Sequence, residues 1–203
     1  MKAKATRDNL LTVGLNMLSV TGLSGVTLGR LATSAGLSKS GLFAHFRSKE
    51  QLQLELLDQM TRVANVQVME PAMRSPEGLP RIKAFVSHWF GWSHKAGLSG
   101  GCPIAAALFE LDDLQGELRQ RTAAMEAELR AMLEGQVEAA VACGHLSAET
   151  DPRQFVWELF GIYLSHHVSS RFLRDPEADA RAERAFSSLL NRAGDRTSSV
   201  QLH

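Results

Sequence analysis

Side chains that could do chemistry are sparse in this chain of 203 residues. Three carboxylates, Glu110, Asp112 and Asp113, lie close together and could transfer protons, but no nucleophile or base accompanies them at a recognisable spacing. His166 and His167 are adjacent, so they point in different directions on a helix and are poorly placed to share a metal ion. We therefore expect no catalytic site, no metal site and no cofactor.

The two cysteines, Cys102 and Cys143, suggest a reducing compartment, because so few thiols cannot form a disulfide framework. Cys102 precedes Pro103 at a predicted helix N-terminus, where the helix dipole stabilises a thiolate and could allow the sensing of oxidants. A small buried side chain at the start of a helix is the more ordinary interpretation of Cys102. Both interpretations stay open at this point.

A second kind of chemistry, the binding of phosphates and base edges, is indicated nearer the start of the chain. Thr27 can cap one short helix, and Ser38 can cap the next after the turn of residues 35–38. This spacing predicts a helix-turn-helix over residues 27–46. The second helix of the pair begins with Ser38, Lys39, Ser40 and Gly41. Its backbone N–H groups and its cation could contact a phosphate or a guanine edge.

The charge distribution also favours a polyanion as the partner of the first quarter of the chain. The whole chain has a formal net charge of zero, but residues 1–50 carry seven basic and two acidic side chains. Residues 1–50 are therefore +5 and residues 51–203 are −5. A basic segment joined to an acidic one suggests nucleic acid bound by the first segment alone, although a solvated helical face would show the same bias.

The elements that must position these residues are predicted to be helices throughout. Apolar residues recur at helical spacing, and no alternation typical of strands is present. We predict an all-α fold of about nine helices, two of which open at the pairs Asp151-Pro152 and Asp175-Pro176. The predicted organisation is an N-terminal three-helix helix-turn-helix domain over residues 1–50 and a C-terminal helical domain over residues 51–203.

An ordered set of residues between Thr6 and Leu52 follows a known pattern: Arg7, Gly22, Thr27, Leu31-Ala32, residues 35–38, residues 41–43, His45-Phe46 and residues 48–50. This segment resembles the DNA-binding domain of the tetracycline-repressor (TetR/AcrR) family of bacterial transcription regulators. The resemblance implies that Arg7 and Thr27 touch phosphates, while the major groove is faced by Ser38, Lys39, Ser40 and Gly41. It further implies that the recognition helix is braced against the DNA backbone by Phe43, His45 and Lys49. Phe43 replaces the usual tyrosine of the family, so the phosphate hydrogen bond of that hydroxyl is absent.

The same resemblance implies a C-terminal domain that senses a small molecule and pairs with a second copy. Eleven of the thirteen aromatic residues lie beyond residue 80 and could line an apolar pocket. We expect the pocket lining to include Phe85, Trp89, Trp92, Cys102, Phe109, Met125, Phe160 and Tyr163. Apolar stripes on the last two predicted helices suit a dimer interface formed by Phe155, Leu159, His166, Ala182, Phe186, Leu189 and Leu190. Core packing within one chain would produce the same stripes, and aromatic residues at helical spacing are also typical of a core.

Together these features predict a homodimeric, cytoplasmic, ligand-responsive regulator, and we expect a repressor. A small apolar molecule would release it from a palindromic operator in double-stranded DNA. The start of the chain lacks the apolar core of a signal peptide, and no apolar stretch is long enough to cross a membrane, so no membrane partner is expected. The alternatives are a redox-responsive regulator acting through Cys102 and an α-helical enzyme without a recognisable catalytic motif.

Overall fold

The structure, a computed structural model, describes residues 2–194, with side chains from Thr6 onward. All regular structure within this range is helical, which confirms the all-α prediction. The α-helices are α1 (Lys2–Gly25), α2 (Leu28–Ser34), α3 (Lys39–Phe43), α4 (Lys49–Ala64), α5 (Glu70–Met73), α6 (Leu79–Trp89), α7 (Trp92–Lys95), α8 (Pro103–Leu111), α9 (Glu117–Ala142), α10 (Pro152–His167) and α11 (Ala178–Gly194). Two π-helical turns, Asn65–Met69 and Val168–Phe172, continue α4 and α10.

Several helices begin at the capping residues that the sequence predicts. A side-chain oxygen accepts a hydrogen bond from a first-turn backbone N–H at the start of α2, α3, α4 and α10. The four capping residues are Thr27, Ser38, Ser48 and Asp151. The second Asp-Pro pair behaves differently, because Asp175 accepts a hydrogen bond from the N–H of Glu177 and α11 begins only at Ala178.

The described helices outnumber the predicted nine mainly because one predicted helix is broken. α6 ends at Trp89, and Gly91 adopts a φ of 70° before α7 begins at Trp92. The sequence predicts one helix that carries Phe85, Trp89 and Trp92. Because a residue in the left-handed region ends an α-helix, that helix is divided into α6 and α7. In contrast, the apolar stripe of Leu52, Leu56 and Met60 predicts one long helix running towards Pro71, and α4, its π-helical turn and α5 follow one another there without a gap.

The chain folds as two compact units. The first unit comprises Met1–Val68 and Gly91–Glu126, and the second comprises Met69–Phe90 and Ala127–His203. The segment Gly91–Glu126 therefore belongs to the same compact unit as the helix-turn-helix residues. These units are defined by packing and not by function. It stays a prediction that residues 1–50 bind DNA and that residues 51–203 sense a ligand and dimerise.

The core of the first unit is built from the predicted apolar stripes. Leu11, Leu15 and Leu18 of α1 are at most 5% exposed, and Leu52, Leu56 and Met60 of α4 are completely buried. Leu31, Leu42 and Phe46 are also completely buried, and these three side chains anchor the helix-turn-helix. Burying each such side chain stabilises the fold by about 1.5–3 kcal/mol, so this core fixes the positions of α2 and α3.

Candidate nucleic-acid interface

The turn between α2 and α3 depends on one glycine. Gly36 has a φ of 66°, a conformation that L side chains rarely adopt. The N–H of Leu37 donates to the carbonyl of Ala32 at 2.9 Å, and the N–H of Gly36 donates to that of Thr33 at 3.2 Å. These two hydrogen bonds form a Schellman motif, which ends α2 and reverses the chain into α3.

The start of α3 presents a small polar surface. The hydroxyl of Ser38 accepts a hydrogen bond from the N–H of Gly41 at 3.1 Å and lies 3.0 Å from the hydroxyl of Ser40. Ser38, Lys39 and Ser40 are all exposed to solvent. Because the cap and the buried Leu42 fix the helix, these exposed polar groups are held in place for contact with another molecule.

Gly41 has a local structural role at this helix start. A Cβ atom built on Gly41 would lie 3.2 Å from the hydroxyl oxygen of Ser38. A larger residue would therefore press on the cap of α3. This crowding offers a reason for the glycine in addition to the predicted close approach of DNA.

The second helix of the motif is shorter than predicted. α3 ends at Phe43, and the chain turns through residues 44–48 into α4. The side chain of Phe43 is 52% exposed at the end of α3, so it does not pack into the core. An exposed aromatic ring next to Ser40 and Lys39 is available for contact with a partner.

Exposed basic side chains lie in and around α2, α3 and the start of α4. Lys39 opens α3 and Lys49 opens α4, and both side chains are exposed. The sequence motifs did not single out Arg30 and Arg47, which are also exposed, although both contribute to the net charge of residues 1–50. One guanidinium N–H of Arg30 donates to the carbonyl of Gly25 at 2.9 Å, while Thr27 caps α2 by accepting from the backbone N–H of Arg30.

Arg7 and His45, two of the predicted DNA-contacting residues, contact each other in the structure. The guanidinium of Arg7 donates to the backbone carbonyl of His45 at 2.7 Å and forms an ion pair with Glu55 of α4. His45 itself is half-buried. Sequence reasoning missed Glu55, because nothing in the local spacing relates α4 to a residue 48 positions earlier.

The end of α1 is tied to α8 within the first unit. The carboxylate of Glu110 accepts hydrogen bonds from the backbone N–H of Leu23 at 2.5 Å and from the hydroxyl of Ser24 at 2.8 Å. A Cβ atom on Gly22 would lie 2.2 Å from this carboxylate. Glu110 is therefore a structural partner of α1, a role that its closeness to Asp112 and Asp113 in the sequence did not indicate.

A second contact joins the same helix to the loop before α8. The N–H of Gly100 donates to the hydroxyl of Ser19 and the N–H of Gly101 donates to the carbonyl of Ser19, both at 3.0 Å. The N–H of Ser99 donates to the side chain of Asn16 at 2.8 Å. A Cβ atom on Gly100 would lie only 1.8 Å from the Ser19 carbonyl oxygen, so this approach requires glycine.

Comparison with known families agrees with this geometry. Residues 10–56 match the family model described as bacterial regulatory proteins, tetR family, and residues 78–186 match the tetracyclin repressor-like C-terminal domain. The chain belongs to the TetR family. It is therefore a DNA-binding regulator whose helix-turn-helix is the segment described above.

Individual relatives show how far the similarity extends. The chain is 29% identical over 181 residues to the nucleoid occlusion factor SlmA of Cronobacter sakazakii, covering 87% of this chain and 89% of that protein. A TetR transcriptional regulator from Chloroflexus aurantiacus has a similar structure, with 25% identity, a TM-score of 0.82 and 94% coverage of both chains. AibR in complex with isovaleryl coenzyme A and operator DNA shares the fold, with a TM-score of 0.67, 20% identity and coverage of 92% and 97%.

The residues predicted to line an effector pocket in this TetR-family chain divide between the two units. The second unit holds Phe85, Trp89, Phe160 and Tyr163 in one aromatic cluster. The Trp89 and Tyr163 rings are stacked, with centroids 3.9 Å apart, and the Phe160 ring lies 5.0 Å from that of Trp89 at 64°. The guanidinium of Arg130 lies 3.9 Å from the Phe160 ring centroid. These aromatic side chains pack against one another.

The other four predicted pocket residues belong to the first unit. The indole N–H of Trp92 donates to the sulfur of Cys102 at 3.3 Å, and both side chains are buried. The sulfur of Met125 lies 3.7 Å from the hydroxyl of Thr61. Phe109 is 59% exposed, so it is not buried in the core of the first unit, and its place in a pocket stays a prediction. It lies on the outer face of α8, because the helix buries Ala105 and Leu111 instead.

The predicted dimer-interface residues are mostly buried within their own chain. Phe155, Leu159 and Leu189 are 1–3% exposed and Ala182 is 6% exposed, so they have almost no surface left to bury against a second copy. These four residues of the predicted interface stripe are therefore core residues of the second unit. Phe186 and Leu190 are half-buried, and His166 contacts Asp179 of α11 at 2.7 Å.

A groove of about 470 Å³ runs between α10 and α11. Small residues line part of it, among them Gly161, Ser165, Ala185 and Ser188. Two of the predicted interface residues, His166 and Ala182, also line the groove, together with the charged side chains of Glu158, Arg181 and Arg192. Trp157, which is 66% exposed, lies on the same groove. Helices with small residues along a face allow close approach of another helix, so this groove is a better candidate interface than the buried stripe.

No helix among residues 2–194 is long and apolar enough to cross a membrane. Within the same range, no group of three or more histidine, cysteine or acidic side chains is arranged to hold a metal ion.

Proposed function

We propose that this TetR-family chain is a homodimeric repressor that binds a two-fold operator in double-stranded DNA and is released by a small apolar effector. DNA is bound by residues 1–50, through Thr27, Ser38, Lys39, Ser40, Gly41, Phe43, His45 and Lys49. Residues 51–203 sense the effector and dimerise. Because its operator is DNA, the protein works in the cytoplasm. It acts as a regulator and not as an enzyme.

The observation that carries DNA binding is the exposed and rigidly held start of α3. Lys39 and Ser40 are exposed, while the cap by Ser38 and the complete burial of Leu42 fix the backbone beneath them. Lys49 supplies a second exposed cation at the start of α4. A short helix fixed in this way can enter the major groove, where a lysine contacts guanine and the second cation contacts phosphate.

Selection of DNA by the full-length protein tests this assignment. Duplexes that the protein enriches from a randomised library should share a palindromic sequence with half-sites one helical turn apart, about 34–36 Å. Enrichment of a single half-site would contradict a two-fold operator. Binding without any enrichment over random duplex would contradict sequence-specific repression.

Dimerisation is assigned to the groove between α10 and α11. A Cβ atom built on Gly161 would meet no other atom within 4 Å, so the groove is open at this position. Trp157 is largely exposed, and Ala185 and Ser188 are small. Two copies of such a face can interdigitate around a two-fold axis, with Trp157 of each copy reaching the small residues of the other. A helix-turn-helix that reads a palindrome requires two copies, so the dimer and the operator depend on each other.

The effector is assigned to the aromatic cluster around Trp89. Its rings belong to α6 and α10, and once they separate they would offer apolar faces on which a small hydrophobic molecule can stack. Entry of a ligand must separate rings that are now in contact, which would shift α6 against α10. The structural neighbour AibR, in complex with isovaleryl coenzyme A and operator DNA, supports the idea that a chain of this fold binds both a small molecule and DNA. The coupling is reciprocal, so operator DNA weakens effector binding as much as effector weakens DNA binding.

A thermal-shift screen of aromatic acids and acyl thioesters tests the effector site. A true effector should raise the melting temperature and release the selected operator over the same concentration range. Occupancy at a hundred times the dissociation constant adds about 2.7 kcal/mol of stability. Trp89→Phe should weaken both effects together, because the stack on Tyr163 is reduced. If compounds raise the melting temperature but leave the operator complex intact, ligand binding at this site does not control DNA binding.

Redox sensing by Cys102 is disfavoured by its surroundings. The thiol is 5% exposed and accepts a hydrogen bond from the Trp92 indole, so an oxidant has little access to it. Cys143 is exposed but lies after the end of α9, where the helix dipole disfavours a thiolate.

A further inference from the structure

The side chain of Arg7 is engaged by the protein on three sides. Its Nε and one Nη donate to the two carboxylate oxygens of Glu55, which makes a bidentate ion pair. The other Nη donates to the carbonyl of His45 at 2.7 Å, and the guanidinium lies 4.9 Å from the ring centroid of Phe46. The Arg7 and Glu55 side chains are 34% and 23% exposed, so the pair is partly shielded from water.

Glu55 continues this network to the start of α4. The side-chain amide of Gln51 donates to a carboxylate oxygen of Glu55 at 3.1 Å. The amide oxygen of the same Gln51 accepts a hydrogen bond from the backbone N–H of Arg47 at 2.8 Å. One continuous network therefore holds the link between α3 and α4 at two points, the carbonyl of His45 and the N–H of Arg47.

We propose that Arg7 and Glu55 are positioning residues that set the angle of the recognition helix, and that Arg7 is not a phosphate ligand. The proposal rests on the DNA-binding function assigned above. α3 has only five residues, and its C-terminal side is followed at once by the link that Arg7 and Glu55 hold. If the link moves, Lys39 and Ser40 move relative to Lys49.

The ion pair also conflicts with phosphate binding by Arg7. A phosphate that took the bidentate edge of the guanidinium would have to displace the Glu55 carboxylate, which would be left partly buried next to DNA. Leaving a carboxylate in that position is costly, both for lack of its partner and through repulsion by the phosphate. The resemblance to the family implied a phosphate contact for Arg7, whereas the geometry points to an intramolecular role.

Binding measurements with the full-length protein distinguish the two roles. The probes are a duplex selected by the parent protein and a random duplex of equal length, each titrated at several salt concentrations. Arg7→Lys keeps the charge but loses the bidentate fork, and Glu55→Gln keeps an acceptor but loses the charge. Both variants should weaken binding of the selected duplex by about ten- to a hundredfold, with random-duplex binding and salt slope nearly unchanged.

A double variant tests whether Arg7 and Glu55 act in one network, and a matched control tests for general destabilisation. The variant carrying both Arg7→Lys and Glu55→Gln should bind no more weakly than the worse single variant, because both substitutions break one network. Arg121→Gln is the control, since it removes another ion pair of α4, that between Arg121 and Asp58. This control should leave the affinity for the selected duplex unchanged. Thermal unfolding of each variant ensures that folded protein is compared.

Three results would overturn the proposal. If Arg7→Lys binds like the parent while Arg7→Gln lowers the salt slope by about one, Arg7 is a phosphate ligand. If Glu55→Gln leaves or raises the affinity, Glu55 does not position the helix. If Arg121→Gln loses as much affinity as the other two, the effect is general destabilisation. A parent protein that selects no duplex would instead remove the DNA-binding function itself, and that is established before any variant is compared.

Discussion

The carboxylate of Glu110 on α8 completes the hydrogen bonding of Leu23 at the end of α1. Gly22 has non-helical dihedral angles, φ 70° and ψ 178°, so the turn that follows is cut off from the helical hydrogen bonds of α1. The N–H of Leu23 therefore needs another acceptor, and Glu110 supplies it at 2.5 Å. A second carboxylate oxygen accepts from Ser24, so both oxygens of Glu110 act as a cap from a distant helix.

Glu110→Ala should destabilise the protein by about 1–3 kcal/mol, because the N–H of Leu23 loses a charged acceptor at a partly buried site. The measurement is denaturant unfolding, with Asp113→Asn as the control because Asp113 is an exposed neighbour of the same charge. Equal stability of the two variants would show that water replaces Glu110 without cost.

Gly100→Ala and Gly135→Ala should have opposite effects on stability. The methyl group on residue 100 would overlap the carbonyl of Ser19, so α1 or the loop must move and the loss should exceed about 2 kcal/mol. Gly135 lies within α9 with open space around it, where alanine should add about 0.5–1 kcal/mol. Melting temperatures of the two variants decide the matter, and a rise for Gly100→Ala would mean that the close approach is not required.

Local signals explain why much of this fold follows from the sequence. Capping by Thr27 and Ser38 and the left-handed Gly36 act within a few residues, so their outcome is visible in the chain itself. The partnerships of Glu110 with Leu23 and of Glu55 with Arg7 span 87 and 48 positions, and no spacing rule relates such residues. They depend on how the helices pack.

The apolar stripes show a second limit of sequence reasoning. A stripe containing Leu159 and Leu189 is compatible with core or with interface, because both bury apolar surface at helical spacing. Only the packing of α10 against α11 shows that these two leucines are core residues, at 1% and 3% exposure. The groove between the same helices is lined in part by small residues such as Gly161, Ala185 and Ser188, which carry little hydrophobic signal in the sequence.

Lys39→Ala and Lys49→Ala should affect DNA binding differently. If Lys39 contacts a base edge, its loss should reduce the preference for the selected duplex over random duplex by about 1–3 kcal/mol. Lys49→Ala should weaken both duplexes alike and lower the salt slope by about one, as expected for a phosphate contact. Titrations at several salt concentrations measure both quantities. Equal losses on both duplexes for Lys39→Ala would make Lys39 another phosphate contact.

Stability should fall as the pH drops below neutral, with a contribution from His167. Burial lowers the pKa of His167 below its usual value of 6.5, and Arg171 and His166 lower it further. Below about pH 6.5 the unfolded chain binds this proton more readily than the folded one, so acid favours unfolding. His167→Gln should flatten this part of the stability profile, whereas the exposed His94→Gln should leave it unchanged. Identical profiles for the parent and His167→Gln would rule out this contribution.

Substitutions on α11 should separate core from interface. Leu189→Asp places a charge at a site that is 3% exposed within one chain, so it should cost about 3–5 kcal/mol and impair folding of the second unit. Ala185→Glu places a charge in the groove between α10 and α11, where it remains solvated in the monomer but would be buried in the proposed dimer. We expect Ala185→Glu to give a folded monomer that has lost binding to a palindromic operator.

The control for this pair is Ser187→Glu, which adds the same charge to an exposed position of α11 that does not line the groove. Sedimentation velocity should show a dimer for the parent and for Ser187→Glu, and a monomer for Ala185→Glu with an unchanged helical circular dichroism spectrum. Operator affinity should follow the dimer, because one helix-turn-helix grips only one half-site. If Ala185→Glu is still a dimer, the interface lies on another face. If Leu189→Asp is a folded monomer, the interface is instead the apolar stripe that contains Leu189.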